Sequence, residues 1–240
     1  MVELSVIVPA YNEEKTILEL LAIVKSQSIE GTTIEVIVID DCSTDGTLEL
    51  LEANPDSYDK LVTLQINSGK GGAVKAGLAE ATGDYIIFQD ADLEYDPADY
   101  SSMMKPVLKH DADVVMGSRL LAPHYTRVHY FWHKQGNHLI TLFFNIINNT
   151  TFTDIYSCYL LYRRDLIRAD ELTTLGWEQH AEILTLATNR SKVFYEVPIS
   201  YHGRTYDQGK KIRAYHIFLF FGPYLLKVSS KIIKWLDQMQ

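Results

Sequence analysis

Short runs of Val and Ile alternate with amphipathic stretches through the first half of the chain. The apolar runs predict strands at 4–8, 35–39, 61–66, 85–88 and 113–116, and the second half adds 156–162 and 193–197. Apolar strands separated by helical stretches are typical of βα units and a mainly parallel sheet. The pattern therefore predicts an α/β fold.

Helical spacing of apolar residues marks the stretches between these strands. The first helix is predicted to begin with Asn12 as its cap, followed by two acidic residues beside the positive end of the helix dipole. Asp96 and Pro97 predict the start of a helix over 97–110, which Pro106 should kink or shorten. Further helices are predicted over 47–53, 72–81, 131–147 and 179–189.

Composition narrows the class of protein. The chain has 240 residues, 47% hydrophobic and 22% charged, which is close to the values of folded soluble domains. Its net charge of -9 argues against a nucleic-acid-binding protein, which would rely on Lys and Arg. Two cysteines without zinc-ligand spacing, and a first segment without signal-peptide features, favour a cytoplasmic location. We expect a catalytic domain over 1–212 and a tail over 213–240.

Polar segments follow four successive predicted strands. In a parallel sheet, ligands bind beyond the carboxyl ends of the strands, so these segments should converge on one rim. They are Pro9-Ala-Tyr-Asn-Glu13, Asp40-Asp-Cys-Ser-Thr-Asp45, Asn67-Ser-Gly-Lys-Gly-Gly72 and Gln89-Asp-Ala-Asp-Leu-Glu94.

Asp90 and Asp92 straddle one residue directly after an apolar strand. In an extended loop both carboxylates can face one point and bind Mg²⁺ or Mn²⁺, which prefer oxygen ligands. Carboxylates at the edge of the core need a countercharge, which favours a metal over a solvated turn or a helix cap. Glu94 is a candidate third ligand.

The glycine-rich turn at Gly69-Lys-Gly-Gly72 leads into a predicted helix. Its N–H groups and the Lys70 ammonium could bind phosphate oxygens. The turn lacks P-loop spacing, and a glycine-rich helix start is often only a turn, so both interpretations stay open. Asp41 could accept hydrogen bonds from a base or ribose, although an Asp after a strand is also a common cap.

Four further motifs follow in order: Gly117-Ser-Arg119, Thr153-Asp154 with Tyr159-Leu-Leu-Tyr-Arg163, Glu196-Val-Pro-Ile-Ser200, and Arg204-Thr-Tyr-Asp-Gln-Gly-Lys-Lys211. Together with the four strand-end segments, they resemble the family 2 inverting glycosyltransferases, in the dolichyl-phosphate mannosyltransferase-like branch. The resemblance covers about residues 3–212. It implies a GT-A, Rossmann-like fold with a single twisted sheet flanked by helices.

The resemblance also implies residue roles. The donor nucleotide would be held by Pro9, Tyr11, Glu13, Asp41, Lys70 and Asp90. The metal ligands would be Asp90, Asp92 and Glu94. Arg119 would bind an acceptor phosphate, and Arg204 and Lys210 would close a loop over the donor diphosphate, so that Asp92, Arg119, Arg204 and Lys210 form the catalytic set.

The implied reaction moves one hexose, with inversion, from a GDP- or UDP-sugar to a polyprenyl phosphate. Such a phosphate is already ionised at neutral pH, whereas a hydroxyl acceptor would need a general base, for which the candidates are Asp154, Glu178 and Glu182. Arg119 would pair bidentately with the phosphate, although a structural salt bridge is the alternative.

Other functions stay open beside this one. A sugar hydroxyl could be the acceptor. A sugar nucleotidyltransferase would carry a loop rich in Gly, Arg and Lys after the first strand, where this chain has Pro9-Ala-Tyr-Asn-Glu13. A non-catalytic binding module is disfavoured by the presence of Asp90, Asp92, Arg119 and Arg204.

The last residues, 210–240, hold six basic residues and one acidic residue among apolar runs. None of these apolar runs reaches the roughly 20 apolar residues needed to span a bilayer. Aromatic and aliphatic residues beside lysines suit an amphipathic helix among lipid headgroups, so we expect peripheral attachment to a membrane. The alternative is a helix packed on its own sheet or on another subunit of a homo-oligomer.

Overall fold

One mixed sheet organises the domain. The computed structural model describes residues 1–121, 131–176 and 178–203, without the side chains of 132 and 133. The strands are β1 (Val2–Ala10), β2 (Thr32–Asp40), β3 (Lys60–Thr63), β4 (Tyr85–Phe88), β5 (Val114–Ser118), β6 (Leu160–Arg163) and β7 (Phe194–Pro198). The helices are α1 (Ile17–Lys25), α2 (Thr47–Ala53), α3 (Gly69–Glu80), α4 (Tyr100–His110), α5 (Phe131–Asn148) and α6 (Gln179–Arg190).

The strand order is β3-β2-β1-β4-β6-β5-β7. Strand β6 runs antiparallel to its two neighbours, β4 and β5. The other pairings, β1 with β2 and β4, β2 with β3, and β5 with β7, are parallel. The predicted α/β fold with a single, mainly parallel sheet is therefore confirmed.

The core lies where helices cover the central strands. The four apolar residues of α1 at core-facing spacing, Ile17, Leu20, Leu21 and Val24, are fully buried. Each such side chain contributes about 1.5–3 kcal/mol by leaving water. Helix α3 packs closely because a Cβ at Gly77 would lie 2.6 Å from Ile7 and 2.7 Å from Ile39. This packing brings the start of α3 to the ends of β1 and β2.

Asn12 is not the cap of the first helix, so that prediction was wrong. Helix α1 begins at Ile17, with Thr16 at the cap position. Asn12 lies in the preceding loop with φ 56°, and its Oδ1 accepts the backbone N–H of Thr44 at 2.8 Å. This hydrogen bond joins the loop after β1 to the loop after β2. The Asn12 side chain is therefore not available as a helix cap, and α1 begins later.

Other predicted boundaries moved as well. Strand β3 ends at Thr63 because its last partner is Asp40, where β2 itself ends. Helix α3 begins at Gly69 and strand β6 at Leu160. As predicted, Asp96 accepts the N–H of Ala98 at 2.9 Å, but it caps a 3-10 turn that precedes α4.

Pro106 lies inside α4 without ending it, since the helix continues to His110. Among the residues that the structure describes, no helix has both the length and the apolar character to cross a membrane. The predicted domain limit at residue 212 and the tail over 213–240 lie outside the described residues.

Candidate active site

A cavity of about 320 Å³ lies at the carboxyl ends of the central strands. Its wall includes Ala10 at the end of β1, Asp41 just after β2 and Phe88 at the end of β4. The starts of α3 and α6 also contribute to it. Nine predicted site residues line it together: Pro9, Tyr11, Glu13, Asp41, Lys70, Asp90, Asp92, Glu94 and Arg119. Arg204 and Lys210 lie outside the described residues.

The loops after β1 and β2 form one side of the cavity and are bonded to each other. The N–H of Glu13 donates to Thr47 Oγ1 at 2.9 Å. The Asp41 carboxylate accepts the N–H of Ser68 at 2.7 Å, and burial raises the pKa of Asp41 above its ordinary value. These bonds hold Glu13 and Asp41, two of the residues predicted to bind the nucleoside, in the cavity wall.

The glycine-rich turn is shaped by packing. The N–H of Gly71 donates to the carbonyl of Leu175 at 2.9 Å, and a Cβ at Gly71 would lie 2.7 Å from Leu175 Cα. Of the two interpretations left open, close packing therefore accounts for Gly71, and its N–H is not directed at a phosphate. Lys70, the next residue back, lines the cavity.

Lys70 forms an ion pair with Asp90, and its Nζ also lies 3.8 Å from the Cys158 sulfur. Although burial lowers the pKa of Lys70, the Asp90 carboxylate raises it above its ordinary value. The ammonium is therefore charged at neutral pH. The two side chains retain 25% and 21% exposure, so solvent reaches the pair.

Asp92 and Glu94 lie on the same loop but face different partners. The Asp92 carboxylate accepts the N–H of Glu94 at 3.1 Å, whereas the Glu94 carboxylate accepts the Tyr201 hydroxyl at 2.7 Å. Within the described residues, no group of three His, Cys, Asp or Glu side chains is placed to hold a metal. Glu94 is thus not gathered with Asp90 and Asp92 into a shared set of ligands.

Arg119 makes a salt bridge to Asp154, the alternative that the sequence left open. Its Nε and Nη2 donate to the two carboxylate oxygens at 2.7 and 2.9 Å, and its guanidinium lies 5.1 Å from the Tyr201 ring centre. Burial raises the pKa of Asp154, but the guanidinium lowers it below its ordinary value overall. Arg119 still lines the cavity with 12% of its side chain exposed.

The three candidate general bases are engaged elsewhere. Asp154 is fully buried against Arg119. Glu182 accepts the hydroxyls of Thr173 and Thr174, each at 2.6 Å, and Glu178 accepts the N–H of Gly176 at 3.2 Å. None of the three is part of the cavity wall.

Two residues important for the cavity were not predicted from the sequence: one lines it, and the other supports a loop of its wall. Gln89 is fully buried, and its Oε1 accepts the hydroxyls of Tyr100 and Tyr159, each at 2.6 Å, which anchors the loop carrying Asp90. Its place in a strand-end segment was the available signal. His180 lines the cavity from the first turn of α6. A single histidine in a helical stretch carries no such signal.

A mainly parallel sheet with a polar cavity beyond its strand ends is the arrangement of nucleotide-binding α/β proteins. The model of the family described as "Glycosyl transferase family 2" matches residues 5–170. The chain belongs to this family and is a glycosyltransferase domain, as the sequence motifs predicted.

Two curated relatives match most of this chain. The chain is 30% identical over 209 residues to the low-salt glycan biosynthesis hexosyltransferase Agl6 of Haloferax volcanii, covering 84% of this chain and 48% of that protein. It is 28% identical over 236 residues to the dolichol-phosphate mannosyltransferase of Pyrococcus furiosus, covering 97% and 64%. The chain thus spans about half to two thirds of these relatives.

The fold is similar to that of a solved GT-A enzyme. Glucosyl-3-phosphoglycerate synthase from Mycobacterium tuberculosis, solved with Mn²⁺, UDP and phosphoglyceric acid, superimposes with a TM-score of 0.64 at 20% identity. The superposition covers 86% of this chain and 73% of that one. At this identity the likeness establishes the GT-A fold.

Proposed function

We propose that this domain transfers one hexose, with inversion, from a GDP- or UDP-sugar to a polyprenyl phosphate at a membrane surface. One observation carries the proposal: a single cavity gathers the Lys70–Asp90 pair, Asp92 and Arg119. Cations for two phosphate groups and carboxylates for a metal therefore line one space.

The donor would occupy the side of the cavity formed by the β1 and β2 loops. Pro9, Tyr11, Glu13 and Asp41 would contact the nucleoside, and Lys70 would lie at the diphosphate. The M. tuberculosis synthase, whose fold is similar, was solved with UDP, which supports a nucleotide donor. Arg204 and Lys210 would contribute from the region outside the described residues.

The carboxylates of Asp90 and Asp92 suit a metal that is completed by the donor. Mg²⁺ is usually bound by one or two carboxylates together with waters and substrate phosphates, so three protein ligands are not required. We propose that Asp90 and Asp92 hold Mg²⁺ or Mn²⁺, which when bound would neutralise charge on the leaving diphosphate. Mn²⁺ in the solved M. tuberculosis synthase supports this.

In the proposed reaction an acceptor phosphate oxygen attacks the anomeric carbon. The new bond joins that carbon to the phosphate oxygen, and the bond to the donor diphosphate breaks with its electron pair leaving on the nucleoside diphosphate. No proton has to be removed, because the acceptor is already ionised. The engagement of Asp154, Glu178 and Glu182 outside the cavity wall is consistent with a base-free acceptor.

Arg119 would orient that acceptor phosphate. Asp154 takes one N–H each from Nε and Nη2, and the remaining guanidinium donors point toward the Tyr95 and Tyr201 side of the cavity. The name of the P. furiosus relative supports a lipid phosphate acceptor. The name of the H. volcanii relative, a glycan biosynthesis hexosyltransferase, favours the alternative of a sugar hydroxyl.

Helix α5 supports attachment to a membrane. On one face Thr141 and Phe144 are buried, with 4% and 2% exposure. The opposite apolar stripe is exposed, at the three- and four-residue spacing of one helix face: Leu139, Leu142, Phe143 and Ile146. An exposed apolar stripe marks an interaction surface. A bilayer that carries the acceptor is the occupant we propose, with the basic tail beyond residue 212 as a second contact.

The acceptor test is a panel of nucleotide sugars with Mn²⁺, incubated with and without polyprenyl phosphate. We expect release of one nucleoside diphosphate that depends on the lipid phosphate. Release stimulated by a glycan hydroxyl instead would favour the alternative acceptor. Release from no sugar nucleotide under any condition would contradict the proposed function.

Vesicle co-sedimentation tests the membrane surface. The double variant Leu142→Glu with Ile146→Glu is expected to lose about tenfold or more of its binding to anionic vesicles, because each apolar side chain contributes about 1.5–3 kcal/mol on burial. Leu108→Glu, at an exposed position of α4, is the matched control. A chain ending at Tyr206 measures the contribution of the tail. Equal sedimentation of parent and double variant would exclude α5 as the contact.

A further inference from the structure

His180 has a buried ring nitrogen without a hydrogen-bond partner. It is the second residue of α6 and lines the cavity. Within the described part of the chain, its Nε2 atom is buried and makes no hydrogen bond. Leaving a buried polar atom unpaired costs about 1–3 kcal/mol, and native proteins contain few such atoms. In a cavity wall, such an atom indicates a partner that the bound ligand supplies.

The ring shares the cavity wall with Lys70, Asp90 and Arg119. The charges that act on it are those of Lys70, Asp90, Asp154 and Arg119. Burial, followed by the Lys70 ammonium, lowers the pKa of His180 to about 4. The imidazole is therefore neutral at pH 7, with one nitrogen that donates and one that accepts a hydrogen bond. A neutral donor and acceptor suits a hydroxyl group better than a phosphate.

The position of the ring selects the part of the substrate it would meet. In the proposed function the diphosphate leaves at Lys70 and Asp90, and the acceptor phosphate enters at Arg119. An inverting displacement has the entering and leaving oxygens on opposite sides of the anomeric carbon, so the transferred hexose lies between them. His180 lines the same cavity as Lys70, Asp90 and Arg119, and the charges of both pairs act on its ring.

We infer that His180 hydrogen-bonds a hydroxyl of the transferred hexose and helps to determine which sugar the domain accepts. The inference rests on the proposed function, because it takes the donor diphosphate and the acceptor from it. A site that hydrogen-bonds a substrate hydroxyl discriminates against analogues that lack it, because its own polar group is then left unpaired. His180 is thus a specificity-determining residue and not a base.

Calorimetry on the full chain tests this with two variants. The probes are UDP-glucose, UDP-N-acetylglucosamine and GDP-mannose, the free UDP and GDP, and monodeoxy forms of whichever sugar nucleotide binds. His180→Ala is expected to weaken sugar-nucleotide binding about tenfold while leaving free nucleoside diphosphate binding unchanged. His180→Asn, which keeps a donor and an acceptor, should recover part of the loss. His110→Ala, at an exposed ring stacked on Tyr195, is the control.

The deoxy sugars identify the hydroxyl. One monodeoxy analogue should bind the parent about tenfold more weakly than the full sugar, yet bind His180→Ala as well as the full sugar does. The inference is overturned if every deoxy analogue loses as much affinity in the variant as in the parent. It is also overturned if His180→Ala loses as much affinity for free nucleoside diphosphate as for the sugar nucleotide. A parent that binds nucleoside diphosphate but no sugar nucleotide would contradict the proposed function as well.

Discussion

Two ion pairs contribute side chains to the cavity wall, and they differ in how much water reaches them. The side chains of Lys70 and Asp90 are 25% and 21% exposed, whereas those of Arg119 and Asp154 are 12% and 0% exposed. The first pair joins two segments that follow strands β3 and β4. The second joins the end of β5 to the loop before β6.

The difference separates two kinds of role. Charges that water reaches can exchange partners at little cost, which suits the proposed contacts of Lys70 and Asp90 with a diphosphate and a metal. A buried pair cannot lose one member without leaving an uncompensated charge in the core. Asp154 therefore holds Arg119 in place at the cavity wall.

The largest expected effect comes from breaking the buried pair. Asp154→Ala should lower the free energy of unfolding by about 3–5 kcal/mol, because it leaves Arg119 buried without its partner. Asp90→Ala is the matched comparison and should cost less than about 1 kcal/mol. Urea denaturation monitored by circular dichroism measures both.

A double variant sharpens the same comparison. Arg119→Met with Asp154→Leu should recover most of the lost stability, since a buried ion pair replaced by apolar residues of similar volume is often neutral. It should remain defective with polyprenyl phosphate if Arg119 binds the acceptor. Equal destabilisation by Asp154→Ala and Asp90→Ala would remove the distinction between the two pairs.

The next effect concerns chemistry at the exposed side. Asp92→Asn should lower the transfer rate by about 10²–10³-fold, because it removes a charge where the leaving diphosphate develops its own. The fold should persist, since Asn retains an oxygen for the N–H of Glu94. Initial rates with Mn²⁺ measure the loss, and Asp56→Asn at an exposed position is the control. A fully active Asp92→Asn, or metal-independent transfer by the parent, would contradict the metal site.

Lys70→Met should have a smaller effect, on binding and not on stability. Removing the ammonium is expected to weaken the binding of the sugar nucleotide and of the free nucleoside diphosphate alike, by about tenfold. The free energy of unfolding should change by less than about 1 kcal/mol, because solvent can hydrate the Asp90 carboxylate that remains. A large loss of stability with intact nucleotide affinity would assign Lys70 a structural role instead.

The smallest effect is a pH dependence. The pKa of Asp154 is held below its ordinary value, so its ion pair contributes stability above the ordinary pKa, and the contribution is lost as pH falls through the folded-state pKa. The stability gap between the parent and Asp154→Asn should thus be full at pH 6 and narrow below about pH 4. Denaturation curves at pH 6, 5, 4 and 3 provide the measurement, and a gap that widens on acidification would reverse the assignment.

Much of the fold could be read from local pattern, because parallel strands are buried on both faces and leave near-continuous apolar runs. Each of the seven predicted strands overlaps an observed one. Strand boundaries differed from the prediction where strand pairing decides them. Strand β3 ends at Thr63, opposite the end of β2, although the apolar run that predicted this strand continues beyond Thr63. Asn12 moved because its side chain bonds a loop some thirty residues later in the chain, and no local rule for caps includes that partner.

For the site, the sequence by itself determined several of the side chains that line the cavity at the strand ends. Pro9 lies at the end of a strand and Asp41 and Asp90 follow one, and the topology of a parallel sheet brings such positions to one edge. Only the tertiary structure decided the pairing of Arg119 with Asp154, the use of the Gly71 N–H by Leu175, and the place of His180. These three features depend on contacts between segments distant in sequence and on how far each group is buried from water. The local sequence around each residue specifies neither.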